Sequence, residues 1–275
     1  MKNFLEVINE TSSYIRKRID FTPEIGLILG SGLGTLVEEI NNPIMFDYKD
    51  IPNFPISTVE GHEGRLVLGE LEGKKVIAMQ GRFHYYEGYS LQQITFPVRV
   101  MKALGIKMLL VTNACGALTK DLYPGALMIM EDHINFIGDN PLIGHNYEEL
   151  GPRFPDMSSA YDKELIKLAE NVSKELNIET KKGVYVAVSG PSYSSRAELG
   201  MLRRIGGDTI GMSTVPEVIV ARHSGLRILG ISCITDMAIA DEIVSISHEE
   251  VVKVANETRP RFIRLVRGIL NEVTL

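Results

Sequence analysis

Short apolar runs that stop abruptly at small or polar residues recur along this chain, and they restrict the fold more than any other feature. Residues 24–29 run into Gly30-Ser31-Gly32-Leu33-Gly34, residues 107–113 into Ala114-Cys115-Gly116-Ala117, residues 183–189 into Gly190-Pro191-Ser192-Tyr193, and residues 226–234 into Thr235-Asp236. Runs without polar alternation are how strands buried on both faces read, and helices usually supply the covering layers. Stretches at helical spacing lie between them, over 3–18, 91–104 and 162–176. The pattern predicts an α/β protein. No linker, repeat or low-complexity tract divides residues 1–275, so a single domain is expected.

In open α/β sheets, ligands lie beyond the carboxyl ends of the strands, so these repeated strand endings describe one shared pocket. The glycine loop at 30–34 lets the backbone approach an anion, and Ser31 adds a hydroxyl, which suits phosphate. A dinucleotide reading is weaker, because a GxGxxG pattern needs glycine at position 35, which is Thr35. Residues 65–71 and 75–80 read as a hairpin, and Arg82 and His84 follow it two residues apart, a candidate clamp for an oxyanion. Residues 209–212 read as a buried strand entering a helix, with Thr214 and Glu217 at capping-box spacing. Unpartnered N–H groups there could hold an anion or a polar ring, with Met212 and Ser213 beside it. Asp236 ends a buried strand, where a carboxyl group must be hydrogen-bonded or protonated, as suits proton exchange with a ligand. The irregular stretch 138–157 carries Phe154, which either lids a neighbouring site or anchors its own loop.

Composition narrows the function classes. A net charge of −6 without a long basic run argues against non-specific binding to nucleic acid or an anionic membrane. Two cysteines, Cys115 and Cys233, are too few for a disulfide framework, and no signal peptide or apolar run of about 18 residues is present. A soluble cytoplasmic protein is expected. The six histidines are scattered singly, so no metal is expected.

Taken together, GSGLG at 30–34, GHEGRLV at 61–67, GRFHYYEG at 81–88, VTNACGAL at 111–118, RFPDMS at 153–158, GPSY at 190–193 and GMSTVPEVIVARH at 211–223 resemble the trimeric purine nucleoside phosphorylases along nearly the whole chain. That resemblance implies a single α/β domain around a twisted mixed β-sheet flanked by helices. It also implies cleavage of purine nucleosides by inorganic phosphate, a co-substrate with no further cofactor, to free base and pentose 1-phosphate. By motif, Ser31, His62, Arg82, His84, Ala114 and Ser213 would bind phosphate, and Tyr86, Met212 and His248 would meet the ribose. Phe154 would reach the neighbouring subunit's site in a homotrimer. Tyr193, Ser194, Thr235 and Asp236 would meet the base, with Asp236, His84 and Ser31 closest to the chemistry.

At two base-facing positions the chain departs from the common family pattern, in which Glu follows GPSY and Asn follows Thr. It has Ser194 and Asp236 instead. A 6-oxopurine needs an acceptor for N1–H and a donor for its oxo group, whereas a 6-aminopurine reverses both demands, as Ser194 and Asp236 would. The expectation leans to adenosine-type substrates. Residues 194–198 and 235–236 also resemble the methylthioadenosine phosphorylases, against which stand GRFHYYEG and the polar His248. An inosine or guanosine phosphorylase and a non-catalytic nucleoside sensor stay open as alternatives.

Overall fold

The computed structural model describes residues 3–58, 63–241 and 247–275, so His62 and the side chain of His248 lie outside the described residues. In chain order the elements are α1 (Phe4–Arg16), β1 (Ile25–Leu29), β2 (Asn41–Asp47), β3 (Arg65–Leu71), β4 (Lys74–Gln80), α2 (Leu91–Leu104), β5 (Met108–Ala117), β6 (Leu127–Phe136), α3 (Lys163–Glu175), β7 (Thr180–Val188), α4 (Arg196–Arg204), β8 (Thr209–Gly211), α5 (Val215–His223), β9 (Arg227–Met237) and α6 (His248–Glu272).

Helix starts follow local chemistry. Asn3 with Glu6, Ser90 with Gln93, Ser195 with Glu198 and Ser247 with Glu250 form capping boxes at α1, α2, α4 and α6. Pro260 lies inside α6, which carries on past it to Glu272. The glycine turn after β1 runs into a short 3₁₀ helix over Gly34–Glu39.

Among the described residues the strands form a nine-stranded sheet in the order β2-β3-β4-β1-β5-β8-β7-β6-β9, and β9 also pairs with β5. That extra pairing closes β5, β8, β7, β6 and β9 into a barrel. Strands β4, β1, β5 and β9 run parallel, whereas β2–β3, β3–β4, β5–β8 and β6–β9 are antiparallel, so the sheet is mixed. β1 is buried at every residue because strands flank it on both sides and helices cover the sheet. α1 packs on α2 and α2 on α5, while α3 and α6 pack together beside β9.

This topology positions the site. The parallel run of β1, β4, β5 and β9 carries Gly30-Ser31, Gly81-Arg82, Ala114 and Asp236 to one edge of the sheet. β8 approaches β5 from the opposite direction, with Gly116 beside Ile210, so continuing past Gly211 leads Met212 and Ser213 back along β5 toward Ala114. β7 runs parallel to β8 and delivers the 190–193 loop to the same mouth through a cis Gly190–Pro191 bond.

Candidate active site

A cavity of about 530 Å³ opens where these strands end, and Ser31, Arg82, Ala114, Ser213, Ser194 and Asp236 all line it. His84, Tyr86, Tyr193, Met212 and Thr235, which sequence reasoning drew from separate motifs, line it as well. Strand packing is tight behind them. A side chain at Gly30 would meet the Asn113 backbone at 2.8 Å, and one at Gly116 would meet Asp236 Oδ2 at 2.6 Å, so these two strand ends require glycine.

At one end of the cavity sits Arg82, almost fully buried. Its Nη1 donates to Ser213 Oγ at 3.0 Å and to Thr214 Oγ1 at 3.2 Å, and its Nε lies 3.2 Å from Glu217 Oε1. Asn113 Nδ2 donates to the same Thr214 hydroxyl at 2.8 Å. The expected capping box at Thr214 and Glu217 is therefore not formed: Thr214 makes no cap hydrogen bond, and both side chains are taken up by Arg82. Thr214 has φ +73° and ψ −54°, and the Val215 N–H returns to the Ser213 carbonyl at 2.8 Å. This is a γ-turn of the strained, positive-φ kind, unusual for a β-branched residue. It also narrows the expectation of free first-turn donors. Val215 has used its N–H and Pro216 has none, so Arg82 and the Ser213 hydroxyl present the polar groups, with the dipole of α5 behind them.

His84, also buried, extends this end. Its Nδ1 lies 3.2 Å from Glu87 Oε1, and its ring stacks on Tyr86 with centroids 4.7 Å apart. Burial alone would raise the Glu87 carboxyl, but hydrogen bonds from His84 and Thr58 outweigh it and hold Glu87 at about 2. Glu87 therefore stays ionised and fixes the imidazole against rotation. Burial, followed by the charge of Glu87, pushes the Tyr86 hydroxyl up to about 12, so it is a neutral hydrogen-bonding group.

Beyond Tyr86 and Met212 the walls turn apolar, with Val188, Leu199, Ile210 and Ala238. Asp236 interrupts them. Thr235 Oγ1 donates to Asp236 Oδ1 at 2.8 Å and also reaches the Cys115 carbonyl at 3.3 Å. Burial raises the Asp236 carboxyl above its ordinary value against the lowering pull of that hydrogen bond, so the neutral, proton-bearing form gains weight. Tyr193 stands at the mouth, more than half exposed.

Three expected residues are not in this gathering. His62 and the His248 side chain lie outside the described residues. Phe154 does not line the cavity of its own chain; it is 87 % exposed, with the Arg153 guanidinium 5.9 Å above its ring. Sequence reasoning missed Asn113, Thr214 as a hydroxyl partner, Glu217 and Glu87. Asn113 and Glu87 lie within motifs already quoted, whereas the Arg82–Glu217 pair joins distant segments and leaves no local signal. Among the described residues, no cluster of His, Cys, Asp or Glu could hold a metal ion.

Residues 24–271 match the family described as the Phosphorylase superfamily. Purine nucleoside phosphorylase 1 of Bacillus subtilis is 57 % identical over 96 % of this chain and 97 % of its own. The chain belongs to the purine nucleoside phosphorylase family. Solved members share its fold. A schistosome purine nucleoside phosphorylase in complex with hypoxanthine superposes with a TM-score of 0.93 at 40 % identity, covering 98 % of each chain. The Schistosoma mansoni purine nucleoside phosphorylase in complex with adenosine gives 0.94 at 40 % identity with the same coverage. In this chain the mixed sheet, its closure through β9 and the cavity at the strand ends form one arrangement.

Proposed function

We propose that this protein cleaves the N-glycosidic bond of purine nucleosides with inorganic phosphate, releasing free base and pentose 1-phosphate, and that it favours 6-aminopurines such as adenosine. Phosphate sits at Ser31, Arg82, His84, Ala114 and Ser213, the ribose against Tyr86 and Met212, and the base between Tyr193, Ser194 and Asp236. No cofactor beyond phosphate is needed.

As the glycosidic bond lengthens, the ribose becomes oxocarbenium-like and the purine gains negative charge. Phosphate held by Arg82 supplies counter-charge below C1′ and then forms the new C–O bond, while the bonding electrons leave with the base. Asp236 receives that charge at the other end: its protonated oxygen donates to N7 as the base departs.

The observation carrying the base preference is the half-buried Asp236 carboxyl, raised by its surroundings, in a cavity that Ser194 also lines. A carboxyl group both donates to N7 and accepts from a 6-amino group, and the Ser194 hydroxyl donates to an unprotonated N1. A 6-oxopurine would face an acceptor with an acceptor and would leave N1–H without a carboxylate. Schistosome purine nucleoside phosphorylases are solved with hypoxanthine and with adenosine, so the shared fold excludes neither kind of base. Phe154, so exposed in one chain, fits a role at a neighbouring subunit's ribose in a homotrimer.

Asp236→Asn tests the preference. The adenosine-to-inosine ratio of kcat/KM should fall by roughly tenfold or more, as expected when one well-placed hydrogen bond changes sign. An unchanged ratio would remove Asp236 from base selection.

A further inference from the structure

The phosphorolysis described above has no use for a carboxylate beside the phosphate, yet Glu217 stands there. It is 2 % exposed, against 1 % for Arg82, and its Oε1 lies 3.2 Å from Arg82 Nε. Its other oxygen, Oε2, is buried and meets no hydrogen-bond donor among the described residues. Stability does not account for this. A buried ion pair seldom outperforms apolar side chains of the same volume, and a buried acceptor without a donor is itself costly. Negative charge close to an anion site also lowers affinity for the anion.

We propose that Glu217 is a positioning residue for Arg82, and that it offsets the charge of that guanidinium before the anion enters. This rests on the reading of Arg82 as a phosphate ligand. The positioning half follows from where the guanidinium is held. Glu217, in the first turn of α5, sets its carboxylate 3.2 Å from Nε as an ion pair, and the Ser213 and Thr214 hydroxyls accept from Nη1 at 3.0 and 3.2 Å. Hydrogen-bonded at one corner and paired with a charge at the other, the planar fork is restrained, so its cavity-facing edge is aimed before phosphate arrives.

The charge half follows from the chemistry. Phosphate is the nucleophile, and in the transition state it passes part of its negative charge to C1′. A buried arginine with no counter-charge would therefore stabilise bound phosphate more than the transition state, deepening the ground state. Glu217 removes that excess at Arg82: the guanidinium meets phosphate with oriented donors more than with uncompensated charge.

The experiment compares the full-length protein with Glu217→Gln, which keeps the shape of the side chain and removes its charge. Phosphate KM and the inhibition constant for inorganic sulfate should both fall by roughly tenfold, kcat should fall, and nucleoside KM should stay within about twofold. A merely structural residue would alter thermal stability and leave phosphate KM, sulfate inhibition and kcat as they were; that outcome overturns the proposal. Glu217→Asp keeps the charge but draws it back from Nε. It should leave phosphate KM within about twofold while lowering kcat, and an unchanged kcat would overturn the positioning role even where the Gln variant fails to fold. Arg82→Met separates the two layers: an unchanged phosphate KM there would mean that Arg82 is not a phosphate ligand, whatever Glu217 does.

Discussion

Replacing Thr214 with glycine pits two opposing terms against each other at the strained turn of the phosphate end. Thr214 holds φ +73°, and for a β-branched residue that conformation costs on the order of 1–3 kcal/mol, which glycine would relieve. Glycine gives back about 0.5–1 kcal/mol of this through its greater freedom in the unfolded chain. Against the relief stands the lost hydroxyl, which accepts from Arg82 Nη1 at 3.2 Å and from Asn113 Nδ2 at 2.8 Å. Both donors are buried; losing the acceptor of Asn113 Nδ2 costs about 1–3 kcal/mol, and Arg82 Nη1, though it keeps Ser213 Oγ, loses one of its two charge-assisted bonds as well. The hydroxyl term is the larger, so Thr214→Gly should destabilise the protein by roughly 1–4 kcal/mol. Thr214→Ser keeps the hydroxyl and sheds the methyl, and should lie within about 1 kcal/mol of the original. Denaturant midpoints of the three proteins, measured without phosphate, decide the matter. A glycine variant as stable as the threonine protein would mean that the hydroxyl does not hold Arg82 and Asn113, and the account of this end of the cavity would fail.

Asp236→Asn should raise the thermal midpoint at neutral pH. A carboxyl raised by burial costs the folded state nothing below its ordinary value near 3.8, and the full cost is present once pH exceeds its raised value; the gain from Asn should therefore vanish in acid, as melting curves at several pH values will report. In the same variant the loss of kcat/KM at high pH that follows deprotonation of Asp236 should disappear. His223, lowered to about 4 by burial and then by the Arg99 charge, should cost stability as pH falls from its ordinary 6.5 toward 4, and His223→Gln should flatten that limb of a melting-temperature profile. Leu27→Ala, in a wholly buried strand, should cost about 2–5 kcal/mol in urea unfolding.

The strands that reach the site were legible because each is an apolar run with a small-residue ending, and β1, α2 and the β3–β4 hairpin lie where that pattern puts them. β2 was not legible. Its sequence, Asn-Asn-Pro-Ile-Met-Phe-Asp, is mostly exposed and includes a proline, and it becomes a strand only by pairing with β3. β6 runs on to Phe136, well beyond its buried apolar residues 127–130, because β7 pairs along the exposed part as well. Thr214 and Glu217 show how a correct local rule loses to distant partners. Their spacing is that of a capping box, but Arg82 and Asn113, from other strands, claim both side chains. That Ser31, Arg82, Ala114, Met212, Tyr193 and Asp236 share a cavity followed from strand endings alone. That Glu217 stands behind Arg82 depends on how α5 packs, which no local spacing encodes.

The central claim is tested most directly by measuring base release from adenosine, inosine and methylthioadenosine in parallel, each with and without inorganic phosphate. The account predicts release that requires phosphate and is fastest, by kcat/KM, from adenosine. Phosphate-dependent release fastest from inosine would contradict the reading of Ser194 and Asp236, a clear preference for methylthioadenosine would move the substrate to a thioether nucleoside, and nucleoside binding without release in any case would contradict the phosphorolysis itself.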